Sequence, residues 1–474
     1  MFDTVIRGGK TVTPSGVDSF DVAVAGERIA AVTAPGAIPD SSARRIVNAA
    51  GKIVIPGGVD PHVHCAWHMP LPDGSAMVSA PPEVVSRAAL WGGTTTLIDF
   101  AARNEPLPLK DIVAKRDLDW AGKCYCDYAY HLMLLGEIPP SVFDELPAMI
   151  DAGYPTVKIF TTNITPSRSG RMVHFGDLWE LFKTLSRAGG LGVIHAEDND
   201  IVMHMYGKLI REGRVSFHNL AEVHNALSED LSFRRVLRLA EAEATPLYMM
   251  HVSAATGVQA IREARAKGQP IYGETLHQYL LYTQDDYKRP NGQMYHTYPS
   301  LKSQQDQDAL WAGTLDGAIN CVATDEVCCN LNIKTIGERI DDTTGGNSGV
   351  EPRLGVMYDE MVTQRGYSLT QFVDQTSANA ARIMGLYPRK GAIAAGADAD
   401  ICILDPSARG TVKAANLHEA DYSPWEGHAI TAWPCLTMLR GKVMVADGEF
   451  LGDLADGQYL KRTVPQSIRT GPAL

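Results

Sequence analysis

Through the middle of the chain, short apolar runs alternate with stretches in which apolar residues recur every three to four positions. The runs at 52–56, 94–100, 125–134, 156–161, 191–195, 246–251, 270–273 and 319–324 are too short for helices and predict buried strands. Between them, Pro82 to Leu90, Asp177 to Ala188, Asp230 to Ala244, Val258 to Ala266 and Gln305 to Leu315 carry helical periodicity, several opened by Asp, Ser or Pro as helix starts are. Strand and helix alternating in this way over residues 56–389 predict a parallel (β/α)8 barrel of the TIM type. The two ends read differently. Residues 1–55 and 390–474 alternate short β segments with turns, and neither piece can bury a good core alone. They are expected to pool into one small antiparallel β-sandwich domain built from both chain ends, with a C-terminal extension.

Composition narrows the function more than the fold. A net charge of −12 gives no basic face for nucleic acid or an anionic membrane. The start, Met1-Phe2-Asp3-Thr4-Val5, lacks the basic and apolar segments of a signal peptide or anchor. Eight cysteines with no Cys-x2-Cys spacing point away from a disulfide scaffold and towards a reducing cytoplasm, with Cys328 and Cys329 read as structural thiols.

Barrels of this kind place their chemistry at the carboxyl ends of the strands. Reading those ends gives His62 and His64, Lys158, His195, His251 and Asp325, six residues from five predicted strands. His62 and His64 are two apart, so in an extended segment they share a face and can converge on one ion, and imidazole nitrogen is a preferred zinc ligand. His131 and His224, by contrast, read as satisfied core or surface residues. Asp198-Asn199-Asp200 reads as a solvated loop, and the run Gly345 to Gly349 as a loop and not a phosphate cradle, since no Lys-Ser/Thr follows it.

The set His-x-His, Lys, His, His and Asp, in that order on barrel strands, resembles the amidohydrolase superfamily. Gly92-Gly93-Thr94-Thr95-Thr96, His195-Ala196-Glu197, Gly273-Glu274-Thr275 and Gly396-Ala397-Asp398-Ala399-Asp400 make it similar to the cyclic amidohydrolases, the group of dihydropyrimidinases, hydantoinases and allantoinases. The resemblance implies two divalent metal ions, zinc by preference, with His62, His64 and Asp325 on one and His195 and His251 on the other. Lys158 would hold both as a carbamate (N6-carboxylysine), since an ammonium cannot be a ligand. It further implies hydrolysis of a cyclic amide of hydantoin or dihydropyrimidine type by a metal-bridging hydroxide. Asp325 would shuttle the proton, and the product would be an N-carbamoyl amino acid. Allantoinase and cyclic imide hydrolase are the alternatives, and a non-catalytic scaffold of the same fold is disfavoured by retention of all six ligands. A homo-oligomer, tetramer or dimer, is also implied.

The chain departs from that group at the expected substrate contacts. Asn163 stands where a tyrosine usually binds the oxyanion, so that another donor such as His174 is expected to contribute. Tyr298 replaces a serine, and Gly345 replaces an asparagine. Trp67 and Phe160 are expected to line the substrate pocket. With the missing tyrosine leaving room for a different ring, they predict a preference for cyclic amides carrying an apolar substituent.

Overall fold

The computed structural model describes residues 1–71 and 74–474, and its helix-covered sheet follows the predicted alternation. Eight parallel strands run in chain order: β1 (Gly58–Asp60), β2 (Thr94–Ala102), β3 (Asp127–Met133), β4 (Thr156–Phe160), β5 (Leu191–His195), β6 (Leu247–Met249), β7 (Ile271–Leu276) and β8 (Cys321–Ala323). Their residues are buried on both faces, which is why they read as unbroken apolar runs and not as alternation. A bridge between Val63 and Glu326 closes the barrel. There the His64 N–H donates to the Glu326 carbonyl at 2.8 Å, and the Glu326 N–H to the His62 carbonyl at 3.2 Å. The closing bonds thus belong to two of the candidate ligands, His62 and His64, and to the neighbour of a third, Asp325.

Helices cover the barrel where periodicity predicted them, at Pro82–Trp91, Phe175–Ala188, Ala226–Glu243, Ala255–Ala266 and Gln304–Asp316. Phe175–Ala188 buries Leu178, Leu181, Phe182 and Leu185, positions that recur at helical spacing. Asn225 caps Ala226–Glu243 through the Ser228 N–H, and Ser303 with Asp306 forms a capping box on Gln304–Asp316.

One predicted barrel strand belongs elsewhere. Ile53–Pro56 lies in the second sheet, parallel to Phe2–Thr13 and antiparallel to Ile401–Asp405, and the barrel starts only at Gly58. An apolar run buried on both faces suits the centre of either sheet, so hydropathy could not choose. The crossing falls at Gly57, where a Cβ would lie 2.2 Å from Thr95 Oγ1. A residue without a side chain is required there.

The second sheet has nine strands drawn from both ends of the chain. Ile6, Val22 and Val24 from one end share a core with Ile401, Ile403 and Met438 from the other. The sheet is mixed where a purely antiparallel one was expected: Phe2–Thr13 runs parallel to both Ala43–Asn48 and Ile53–Pro56. An irregularity between Ile6 and Gly9 bends that strand, so its first half pairs with one neighbour and its second half with the other.

An ionic knot joins this sheet to the barrel. The Lys390 ammonium donates to Asp127 at 2.5 Å, at the start of β3, and to Asp400 at 2.6 Å, with Asp398 at 3.0 Å. Arg440 pairs with the same Asp127. Burial alone would lower the Lys390 pKa, but its three carboxylates outweigh that and raise it. Such a buried network specifies geometry because removing any one member strands a charge. Among the described residues, no helix is long and apolar enough to cross a membrane.

Candidate metal centre

All the strand ends of a parallel barrel open on one mouth, and there the six candidate residues meet. His62 and His64 follow β1, Lys158 lies in β4, His195 ends β5, and His251 and Asp325 each sit two residues beyond β6 and β8. Together they line one cavity. His251 and Asp325 hold φ values of 39° and 52°, a left-handed backbone unusual for residues with side chains. Local strain of this kind gathers at sites where a side chain must be aimed.

Asp325 is the hub. Its Oδ1 lies 3.0 Å from His62 Nε2 and 3.2 Å from His64 Nε2, and its Oδ2 accepts the Thr297 hydroxyl at 2.7 Å. Burial would raise its pKa, yet the two imidazoles overcome burial and hold it well below the usual carboxylate range. His62 responds in the opposite sense: burial lowers it, but Asp325 and Glu274 carry it up to about 9. His195 and His251 stand 4.5 Å apart between ring centroids, with His62 5.5 Å from His251. Burial holds His195 down at about 4 despite Glu197, so it is a neutral imidazole.

Carboxylates behind the imidazoles fix which nitrogen faces the cavity. Glu274 takes His62 Nδ1 at 2.8 Å while also accepting the Tyr248 hydroxyl at 2.8 Å and the His251 N–H at 3.1 Å. Glu197 bonds His195 Nε2 at 2.8 Å and His224 Nδ1 at 2.8 Å, and His224 Nε2 in turn meets the Tyr206 hydroxyl at 2.9 Å. Such partners orient metal-binding histidines and raise their basicity. Sequence reasoning quoted Glu197 and Glu274 without giving them a role, and it set His224 aside. The signal was a carboxylate two residues after His195 and another at the end of a barrel strand.

The residues present fit divalent cations. His62, His64 and Asp325 offer ligand atoms all within 4.8 Å of one another, and His251 Nδ1 is buried with no hydrogen-bond partner. Lys158 is buried, and its Nζ donates to the sulfur of Met250 at 2.9 Å and not to a carboxylate. Burial lowers its pKa to about 7, against the pull of Asp325 and Glu274. A second acidic cluster, Asp127, Asp398 and Asp400, already surrounds the Lys390 ammonium.

The expected substrate contacts fare unevenly. Trp67, Phe160, Tyr298 and Gly345 all line the cavity. Trp67 is tethered by its indole N–H to Asp99 at 3.2 Å, and its ring stands edge-on to His64 at 5.1 Å. Pro72, at the end of the loop carrying Trp67, lies outside the described residues. Asn163 does not reach the cavity wall. Its side-chain oxygen accepts the N–H groups of Arg171 and Met172, each at 3.0 Å, so it shapes the loop after β4 and does not face substrate. His174 is exposed at a helix start and is not among the residues that line the cavity. In their place the loop presents Arg168 and Arg171 to the cavity, two residues that sequence reasoning missed because a loop has no periodicity to mark inward positions.

The Tyr298 and Gly345 departures are one change. A Cβ on Gly345 would lie 2.4 Å from Tyr298 Cδ2, and the Tyr298 hydroxyl donates to the Thr343 carbonyl at 3.0 Å, pinning the ring against the glycine. The larger residue at 298 requires the smallest one at 345.

Fold and site together define a (β/α)8 hydrolase barrel with a metal-binding mouth. The amidohydrolase family matches residues 193–444. The chain is 34% identical over 471 residues to a D-hydantoinase of Geobacillus stearothermophilus, covering 97% of this chain and 96% of that one. It is 32% identical to a D-phenylhydantoinase of Escherichia coli, covering 88% and 89%. The crystal structure of a dihydropyrimidinase from Brevibacillus agri superposes with a TM-score of 0.90 at 30% identity, covering 98% of this chain and 99% of that one. The chain belongs to the amidohydrolase family.

Proposed function

We propose that the protein hydrolyses a cyclic amide of the hydantoin or dihydropyrimidine type to an N-carbamoyl amino acid, at a centre of two divalent ions held by His62, His64, Lys158, His195, His251 and Asp325. The observation that carries this reading is the convergence of those six side chains, from five barrel strands, on one cavity. A mostly imidazole donor set favours zinc. Ions bound there supply Lewis acidity towards the amide carbonyl and towards water.

The chain's own residues do the rest. Lys158, held near pKa 7, is in large part an unprotonated amine at neutral pH, and only the neutral amine adds carbon dioxide to become a carbamate. Glu274 and Glu197 hold His62 Nδ1 and His195 Nε2, leaving the opposite nitrogen of each ring for a bound cation, which would displace the second proton that His62 otherwise carries. Asp325 accepts the proton of the attacking water on its carboxylate and passes it to the ring nitrogen as the C–N bond breaks, because an amide anion is a poor leaving group. Thr297 keeps that carboxylate aimed through the attack. Trp67, Met69, Phe160 and Val327 supply an apolar wall that excludes water and receives the ring. All eight cysteines are free thiols, as suits a reducing cytoplasm.

The test is a metal analysis paired with a turnover panel of dihydrouracil, hydantoins with and without 5-substituents, allantoin and cyclic imides. Close to two divalent ions per chain and turnover of at least one hydantoin or dihydropyrimidine are expected. Lys158→Ala is expected to lose most metal and activity, with partial recovery on adding short carboxylic acids. Full metal content in that variant overturns the role given to Lys158, and a metal-loaded protein inert on the whole panel overturns the activity.

A further inference from the structure

Two guanidiniums, those of Arg168 and Arg171, stand in the cavity wall with no ion-pair partner among the described residues. Arg168 and Arg171 are half-buried on the loop after β4 and both face the cavity. Among the described residues neither side chain makes an ion pair or a hydrogen bond, and each rests instead on an aromatic face. Arg171 lies 5.1 Å from the Phe160 centroid, and Arg168 lies 5.4 Å from the Tyr298 centroid. Lys158 Nζ lies 4.8 Å from that same Phe160 centroid. Arg171 and the site lysine are therefore no farther apart than these two distances laid end to end, which a small ring with a short side arm can span.

Electrostatics make the absence of a partner informative. Burial, reinforced by the like charge of Arg168, pulls the Arg171 pKa down to about 9. Partly desolvated cations close enough to repel one another cost free energy, which an anion between them recovers. Among the described residues that line the cavity, Asp325 is the one carboxylate, and it is already engaged by His62, His64 and Thr297. The two arginines are also what this chain has on the loop where the oxyanion-binding tyrosine was expected.

We propose that Arg168 and Arg171 form an anion subsite for a carboxylate carried on a short arm of the substrate ring, so that the preferred cyclic amide is an acidic one. This rests on the hydrolase reading above and names its substrate class. Phe160 and Tyr298 hold the guanidinium planes in place, and Trp67 and Met69 cover the apolar part of the ring.

The experiment compares hydantoin-5-acetic acid with hydantoin-5-acetamide, nearly equal in shape and differing in charge, on the metal-loaded protein. The acid is expected to show at least about tenfold higher kcat/KM, mostly through KM, as hydrogen bonds to a charged group give. Arg171→Gln and Arg168→Gln should each drive that ratio towards one, while Arg171→Lys keeps part of it. Calorimetric binding of the ring-opened N-carbamoyl-aspartate and N-carbamoyl-asparagine reads the same subsite without turnover, and the acid should bind about tenfold tighter to the unmutated protein. Equal values for acid and amide overturn the subsite. So do equal losses for both compounds in the glutamine variants, which would make the arginines donors to a ring carbonyl. Failure to turn over the acid, the amide and every compound of the panel above counts against the hydrolase reading instead, and the binding pair still decides the subsite.

Discussion

Gly345→Ala isolates the coupling between two departures from the family pattern. Gly345 does not have a left-handed backbone, so alanine brings no conformational strain and its cost is steric. The new methyl would sit 2.4 Å from Cδ2 and 2.8 Å from Cε2 of Tyr298, against the roughly 3.5–4.0 Å at which carbon atoms attract. The ring cannot swing aside easily: it is buried, its hydroxyl is tied to Thr343, and His296 and His224 stand 4.5 and 5.0 Å from its centroid. Overpacking of this kind costs about 1–3 kcal/mol. In a Tyr298→Ser background the obstacle is gone and Gly345→Ala should cost less than about 0.5 kcal/mol, the usual margin for independent sites. Urea unfolding of the four proteins of this cycle measures the interaction directly. If Gly345→Ala costs as much without the ring as with it, the steric coupling is wrong.

Asp325→Asn keeps the shape and one carbonyl oxygen but cannot take up a proton, so kcat should fall by at least ~10²-fold; a loss below tenfold at unchanged metal content would point to another base. Trp67→Ala should reduce kcat/KM for hydantoins with a bulky 5-substituent by about 10- to 200-fold more than for hydantoin itself. Equal losses would mean that the indole, tethered to Asp99, only supports the loop. His277 is buried against Trp425, stacked at 4.0 Å between ring centroids. Burial, aided by Arg353, lowers its pKa to about 3. Between 6.5 and that value the unfolded chain binds a proton that the folded protein refuses, so stability falls as pH falls. The contribution of this one group is about 2–3 kcal/mol from pH 6.5 to 4.5. His277→Phe should flatten that part of the stability profile, and an unchanged slope would refute the assignment.

The barrel was legible because its strands and helices differ in length and period, and the six residues that meet at its mouth were legible because strand ends carry them in short motifs. The limits were physical too. Ile53–Pro56 is equally apolar in either sheet, so only its partners, Phe2–Thr13 and Ile401–Asp405, assign it. Glu274 and His62 are 212 residues apart, and nothing local in either segment announces their hydrogen bond. Asn163 stands five residues after Lys158, the spacing of a family position, whereas the loop turns its oxygen to backbone N–H groups and turns Arg168 and Arg171 inwards. The fit of Tyr298 to Gly345 is a matter of shape, which residue types alone do not encode.

The place of Ile53–Pro56 also sets an order of events during synthesis. This strand lies between Phe2–Thr13 and Ile401–Asp405, and everything in the barrel is translated between the two neighbours. No nascent chain that stops short of Ile401 can complete the sheet. The N-terminal strands must therefore wait with one edge of backbone donors and acceptors unpaired while the barrel emerges, and such edges recruit other chains. The strand that seals Ile53–Pro56 leaves the ribosome only after the whole barrel has done so.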